Sequence, residues 1–303
     1  MFRRNLRIKS SVPFFGTATF SRRFQVSFLF LLLFVLPTLA APPQRIVSCM
    51  PSITEILFAL DLDKQIVGVT TNCNYPPAAK KKEKIGGFFL NLEKIVSLKP
   101  DLVILMGEAQ KKESEKFRRM ELNVLTINPK NVNGVLESIE MIGQVTGRGK
   151  SAGRLVGELR KKLKRVENKN KRFKPSFADV IKLWSRGSKK RKALVVVGVN
   201  PIIVAGKGTF IDDIISRAGV DNVVKGTMAP YPQYSFEKLV DENPPYIVVP
   251  AGLIGKRELK KWETLEAVRE KRVLFIDPDI LSRPGPRVVE AIDLVSNFIY
   301  NGR

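Results

Sequence analysis

The chain has 303 residues, 44% of them apolar, with 52 Lys/Arg against 29 Asp/Glu and no histidine. That length suits about two domains, each with a core of its own, and the lack of histidine excludes imidazole triads and His-rich metal centres. The net charge of +23 reads as a lysine-rich solvated surface, with attachment to nucleic acid or an anionic surface as the other reading.

The first 41 residues read as a signal peptide. Arg3, Arg4, Arg7, Lys9, Arg22 and Arg23 precede the apolar run Phe24 to Leu36, and Pro37-Thr38-Leu39-Ala40-Ala41 follows it. The run is short for a bilayer span, so cleavage after Ala40 or Ala41 is expected, with an uncleaved N-terminal anchor as the alternative. Cys49 lies well past the run and does not look like a lipoprotein cysteine. Export permits a disulfide, and Cys49 and Cys73, which follow the first and second expected strands, are the candidates for one.

Residues 42–130 read as an N-terminal α/β lobe. Arg45 to Ser48 is a strand, and Ser52-Ile53-Thr54-Glu55 opens a helix with a capping-box pattern. Ile66 to Val69 is the second strand. A long loop from Thr70 to Leu90 carries Tyr75-Pro76-Pro77 and Gly86-Gly87-Phe88-Phe89. A helix at Glu93, a strand over Leu102 to Leu105, a charged helix over 110–121 and a strand over Val124 to Ile127 complete the lobe. Alternating strands and helices imply a parallel sheet. In such sheets ligands bind beyond the carboxyl ends of the strands, here near Met50-Pro51-Ser52, Asn72 to Tyr75, Gly107-Glu108 and Asn128-Pro129. Phe88 and Phe89 either offer a flat apolar ligand their rings or pin the loop to the core.

Residues 131–172 read as linking helices, the longer of them a strut. Residues 173–192 are a basic insertion, most simply a solvated one. Residues 193–303 form a C-terminal α/β lobe in which the order repeats. Its helices are expected at Thr209 to Ile215, at Glu237, over Lys256 to Lys271 and over Val288 to Ile299, and a Pro/Gly-rich loop at Asp277 to Pro286 holds Asp279 and Arg283. Gly206-Lys207-Gly208-Thr209 lacks P-loop spacing and reads as a tight turn.

One unit occurs in both lobes. Asn91-Leu92-Glu93-Lys94-Ile95-Val96 with Pro100 matches Ser235-Phe236-Glu237-Lys238-Leu239-Val240 with Pro244. Each reads as a cap, a carboxylate at the positive end of a helix, and a proline stop.

Ser48-Cys49-Met50-Pro51-Ser52-Ile53-Thr54-Glu55, Tyr75-Pro76-Pro77, and Asn91-Leu92-Glu93 with Lys99-Pro100-Asp101-Leu102-Val103 resemble the helical-backbone periplasmic substrate-binding proteins of ABC importers for cobalamin, haem and iron-siderophores. With Pro230-Tyr231-Pro232-Gln233, they look most like the cobalamin branch. The resemblance implies a class III periplasmic binding protein: two Rossmann-like α/β lobes with parallel sheets joined by a long rigid helix. It implies a periplasmic or extracytoplasmic monomer that is no enzyme, has no cofactor of its own, and passes a cobalamin-like corrinoid to a permease and its ATPase. Residue by residue, it implies Glu93 and Glu237 as permease-docking carboxylates. It implies Met50, Pro51, Tyr75, Phe88, Tyr231, Asp279 and Arg283 as ligand contacts, and no metal site or nucleic-acid partner. A ferric siderophore or haem is the alternative ligand, suited by Arg283 and by lysines expected around the cleft.

Overall fold

The computed structural model describes residues 41–172, 191–226 and 228–301. The leader up to residue 40, and the basic insertion apart from its last two residues, lie outside them.

The first sheet is built from short strands. β1 (Ile46–Ser48), β2 (Ile66–Val69), β3 (Leu102–Met106) and β4 (Val124–Ile127) run parallel in the order β2-β1-β3-β4. β1 and β3 are buried throughout and β4 is only partly covered. Side chains alternate between the faces. Ile46, Leu102, Ile104 and Met106 face the main core, whereas Val47, Val103 and Leu105 face a smaller cluster with Ile85, Ile95 and Phe117. This alternation also decides the cysteines. Cys49 follows Val47 by two positions and packs with it in the smaller cluster. Cys73 belongs to the main core, where the Thr54 hydroxyl donates to its Sγ at 3.1 Å and the Thr70 hydroxyl lies at the same distance. The expected pairing is therefore not formed, and both are buried free thiols. Burial, with Cys73 and Glu113 nearby, pushes the Cys49 thiol far above its ordinary range.

Helix α1 (Pro51–Ala59) starts two residues earlier than the capping-box pattern implies. Pro51 takes a first-turn position, where its missing N–H costs nothing. Met50 becomes the N-cap and makes no side-chain cap bond. Ser52 is thus inside the helix, its hydroxyl has no partner, and Glu55 is available for a contact elsewhere. Helices α2 (Leu92–Ser97) and α3 (Lys111–Arg119) complete the lobe.

The link is α4 (Val132–Val145) followed by α5 (Gly149–Arg172). Ala152, Val156, Leu159, Leu163 and Val166 bury one stripe of α5 at helical spacing. A Cβ on Gly143 would lie 2.3 Å from the Ala152 Cβ, so only glycine lets the two helices approach this closely. The strut is tied to both lobes. Arg148 donates to the Asp61 carbonyl at 3.1 Å, and Asn170 bridges the Ala218 carbonyl and the Ser296 hydroxyl at 2.9 and 2.6 Å.

The second lobe repeats the parallel theme with one departure. β5 (Lys192–Val199), β7 (Asp221–Asn222), β9 (Ile247–Pro250) and β10 (Val273–Ile276) are parallel. β6 (Ile202–Val204) instead folds back antiparallel on β5 after the Asn200-Pro201 turn, and β8 (Gln233–Tyr234) pairs antiparallel beyond it. A two-residue reversal can join only antiparallel neighbours, so this edge has no counterpart in the first lobe. The helices are α6 (Phe210–Arg217), α7 (Phe236–Glu242), α8 (Lys256–Lys261), α9 (Glu266–Arg269), α10 (Pro278–Ser282) and α11 (Val288–Asn301). The single helix expected over Lys256 to Lys271 is broken in two. Trp262 leaves the helix for the core at 1% exposure, and the Asn243 side chain accepts from the Glu266 N–H at 2.9 Å to start α9. The Gly206-Lys207-Gly208 turn precedes α6, which Thr209 caps. Asp212 accepts from the Gly208 N–H at 2.9 Å, occupying the place an anion would take.

Candidate functional site

A cleft of about 720 Å3 opens where the carboxyl ends of the first sheet face the loop after β10. From the first lobe come Met50, Pro51 and Ser52 at the start of α1, Thr70 to Asn72 and Asn74 after β2, Phe88 and Phe89, and Gln110 and Glu113 at the start of α3. The second lobe supplies Asp279, Ser282, Arg283 and Pro284.

The aromatic wall stands on a small hairpin. Gly86 bridges to Leu90, the Thr71 N–H donates to the Gly86 carbonyl at 2.8 Å, and the Gly87 N–H donates to the Phe89 carbonyl at 3.1 Å. Gly86 has φ +107°, and a Cβ there would lie 2.3 Å from the Phe89 oxygen, so the tip requires glycine. Phe88 and Phe89, at 89% and 81% exposure, pack edge to face 5.2 Å apart. They project from the lobe and do not pin the loop.

The polar floor is a network between the lobes. Arg283 Nη1 donates to Asn74 Oδ1 at 2.7 Å and Glu55 Oε1 at 3.1 Å, while Nη2 reaches Asp279 Oδ1 at 2.7 Å and the Asn72 carbonyl at 3.2 Å. Asn74 Nδ2 donates to the other Asp279 oxygen at 2.8 Å. Arg287 grips Glu55 through Nε and Nη2 at 2.9 and 2.7 Å, and its guanidinium lies 4.1 Å from the centre of the Tyr75 ring. The Glu55 bond is the largest influence holding the Arg287 charge above its ordinary range.

Of the residues singled out from sequence, Met50, Pro51, Phe88, Asp279 and Arg283 border this cleft. Tyr75 lies behind the network, on a second cavity of about 760 Å3 between α1, α5 and α11. Tyr231 borders neither; it is held beside β6 by the Gly206 N–H to Pro230 carbonyl bond at 2.8 Å, and partial burial raises its phenol above the ordinary range. Among the described residues no lysine borders the cleft, so the lysines expected around it are not found there. Among the described residues no group of three His, Cys, Asp or Glu could hold a metal.

Glu93 and Glu237 are exposed on the first turns of α2 and α7. Asn91 accepts from the Lys94 N–H at 2.9 Å and Ser235 from the Lys238 N–H at 3.2 Å. The match between the two units extends further than their sequences suggest: Lys99 and Asn243, each just before its proline, both take the left-handed conformation, at φ +45° and +35°. The backbone N–H of Glu237, then Ser235, lower the Glu237 carboxyl below its ordinary value.

Sequence reasoning missed Glu55 and Arg287 as parts of this site; it placed Asn72 and Asn74 at a ligand-facing strand end but gave neither a role. The signal for Arg287 was an i, i+4 arginine pair, Arg283 and Arg287, in an otherwise Pro/Gly-rich segment.

Two α/β lobes, a rigid helical link and a solvent-open cleft between the lobes are the architecture of a binding protein. The chain belongs to the periplasmic binding protein family, whose model matches residues 46–280. It is 34% identical over 272 residues, 87% of this chain and 82% of the other, to a Bacillus subtilis protein named as an uncharacterized ABC transporter substrate-binding lipoprotein, YvrC. It is similar to the crystal structure of the periplasmic vitamin B12 binding protein of Vibrio cholerae. The TM-score is 0.74 at 25% identity, over 86% of this chain and 99% of that one. It is also similar to a periplasmic haem-binding protein from Roseiflexus sp. RS-1, with a TM-score of 0.72 at 25% identity over 85% and 98%. The protein is therefore an extracytoplasmic substrate-binding protein of an ABC importer, of the class III, strut-linked kind.

Proposed function

We propose that the cleft captures a cobalamin-like corrinoid and that Glu93 and Glu237 present the loaded protein to its permease. The observation that carries the ligand class is the chemistry of the wall. Apart from the Arg283–Asp279 pair and Glu113, its polar groups are neutral: Ser52, Thr70, Thr71, Asn72, Asn74, Gln110 and Ser282. A corrinoid is a broad apolar ring fringed with carboxamides, which such groups match donor for acceptor. Phe88 and Phe89 offer the ring an aromatic face. Among the described residues a tetrapyrrole with free carboxylates would meet no lysine here, and its iron would meet no imidazole or phenol. The relative from Vibrio cholerae, named for vitamin B12, supports the same reading.

One observation favours haem instead: Met50 places a thioether, a ligand iron accepts, on the cleft wall. The visible spectrum of the protein as purified separates the two. Titration calorimetry with cyanocobalamin is the direct test. Binding is expected, with Phe88→Ala weakening it about tenfold, or ~1.4 kcal/mol, and Tyr231→Ala weakening it less because Tyr231 stands off the cleft. No heat with any corrinoid would end the reading.

The docking role rests on the paired carboxylates. Each is exposed at the start of a short helix whose cap residue, Asn91 or Ser235, already accepts from the backbone, so neither carboxylate is needed as the cap. Two separated charges, one per lobe, suit a two-lobed carrier meeting a two-fold transporter.

A further inference from the structure

We infer that Asn74 and Glu55 are positioning residues for the ligand cleft: from the first lobe they aim Arg283 and Asp279, the charged pair that the second lobe presents to the ligand. This rests on the cleft being the ligand site.

Arg283 and Asp279 sit one turn apart around the short helix α10, on a segment that runs from Asp277 through Pro284-Gly285-Pro286. Five residues of helix are too few to fix long side chains by themselves. The fixing comes from across the cleft. Asn74 contacts both members of the pair at once, its oxygen taking Arg283 at 2.7 Å and its amide reaching Asp279 at 2.8 Å. An amide side chain, with a carbonyl oxygen and an NH2 on one rigid plane, can accept from a guanidinium and donate to a carboxylate simultaneously. Behind it, Glu55 is 4% exposed and faces two arginines. Without its carboxylate, Arg283 and Arg287, both held on Glu55, would be left as neighbouring uncompensated like charges, and Arg283 would be driven towards the cleft or solvent. Both partners therefore hold the Arg283–Asp279 pair in one pose before ligand arrives, which lowers the ordering cost of binding.

Asn74 is exposed near the start of the loop after β2, so Asn74→Ala tests the idea without disturbing the core. Two measurements on the purified protein separate this inference from the corrinoid reading. The first is amide hydrogen exchange in the ligand-free protein. Asn74→Ala and Glu55→Gln should each speed exchange across residues 277–287 at least fivefold while leaving β1 and β3 unchanged. Exchange at the wild-type rate in Asn74→Ala overturns the inference, whatever the ligand is.

The second is a double-mutant cycle read by cyanocobalamin binding. Asn74→Ala should weaken binding about tenfold in the wild-type background and have almost no effect in Arg283→Ala. Losses that simply add would mean that Asn74 acts on the ligand by itself, and would also overturn the inference. If wild-type protein binds no corrinoid, the ligand reading fails, and the exchange measurement still decides the positioning role.

Discussion

The acids at the helix tips, Glu93 and Glu237, and the acid at the lobe junction, Glu55, are the same kind of side chain in opposite circumstances. Glu93 and Glu237 stand in solvent on helices already capped by Asn91 and Ser235. Glu55 is buried and held by three bonds from two arginines of the other lobe. A carboxylate that the fold does not use can be spared for a partner, whereas one that bridges two lobes is tied to the geometry between them. Exposed charges contribute little to stability because water and salt already screen them. Removing one partner from a buried cluster leaves uncompensated charge.

The sharpest break of this comparison is functional. Reversing both tip charges, Glu93→Lys with Glu237→Lys, should abolish uptake in a transport assay while ligand affinity and melting temperature stay at wild-type values. Unchanged uptake would mean that the tips are solvated helix starts and nothing more. The reverse pattern belongs to the junction. Glu55→Ala should lose about 3–5 kcal/mol of stability in urea unfolding, whereas Glu93→Ala should stay within about 0.5 kcal/mol.

The same contrast explains what could be read from the chain. Both tip units were legible because each is local: a cap, its bond three residues on and a proline stop lie within ten residues. The alternation that buries β3 on both faces was equally local. Glu55 was misread because Ser52-x-x-Glu55 also fits a capping box. Nothing within a helical turn reveals that Pro51 starts the helix early, or that the true partners lie 228 and 232 positions away. Cys49 and Cys73 were paired on proximity to neighbouring strands, yet the pleat sends them to different clusters. The hairpin β5–β6 and the break at Trp262 depend on which neighbour the chain finds. The placement of Tyr75 and Tyr231 off the cleft depends on lobe packing, which periodicity does not encode.

Between the tips themselves, removing the caps should cost similar amounts: Asn91→Ala and Ser235→Ala each about 1 kcal/mol. They should differ in acid. The Glu237 carboxyl is lowered by its own backbone N–H and by Ser235. Its contribution is therefore present above the ordinary carboxyl pKa and disappears as pH falls through the lowered folded value. Ser235→Ala should move the Glu237 carboxyl back up in an NMR titration, and an unmoved midpoint would remove Ser235 as a cause.

The smallest expected difference lies at the left-handed residues before the two prolines. Lys99 and Asn243 share a conformation that costs an ordinary L-residue about 1–2 kcal/mol, and asparagine tolerates it better than lysine. Only Asn243 has a second task, accepting from the Glu266 N–H to start α9. Lys99→Gly should therefore be neutral or stabilising by up to about 1 kcal/mol, relief of strain being partly offset by the greater freedom of glycine when unfolded. Asn243→Gly keeps the conformation but forfeits the cap, and should cost a few tenths to 1 kcal/mol. Equal effects of the two substitutions in thermal unfolding would mean that the conformation alone sets the residue at both sites; opposite signs would identify the α9 cap as what distinguishes the second lobe's tip from the first.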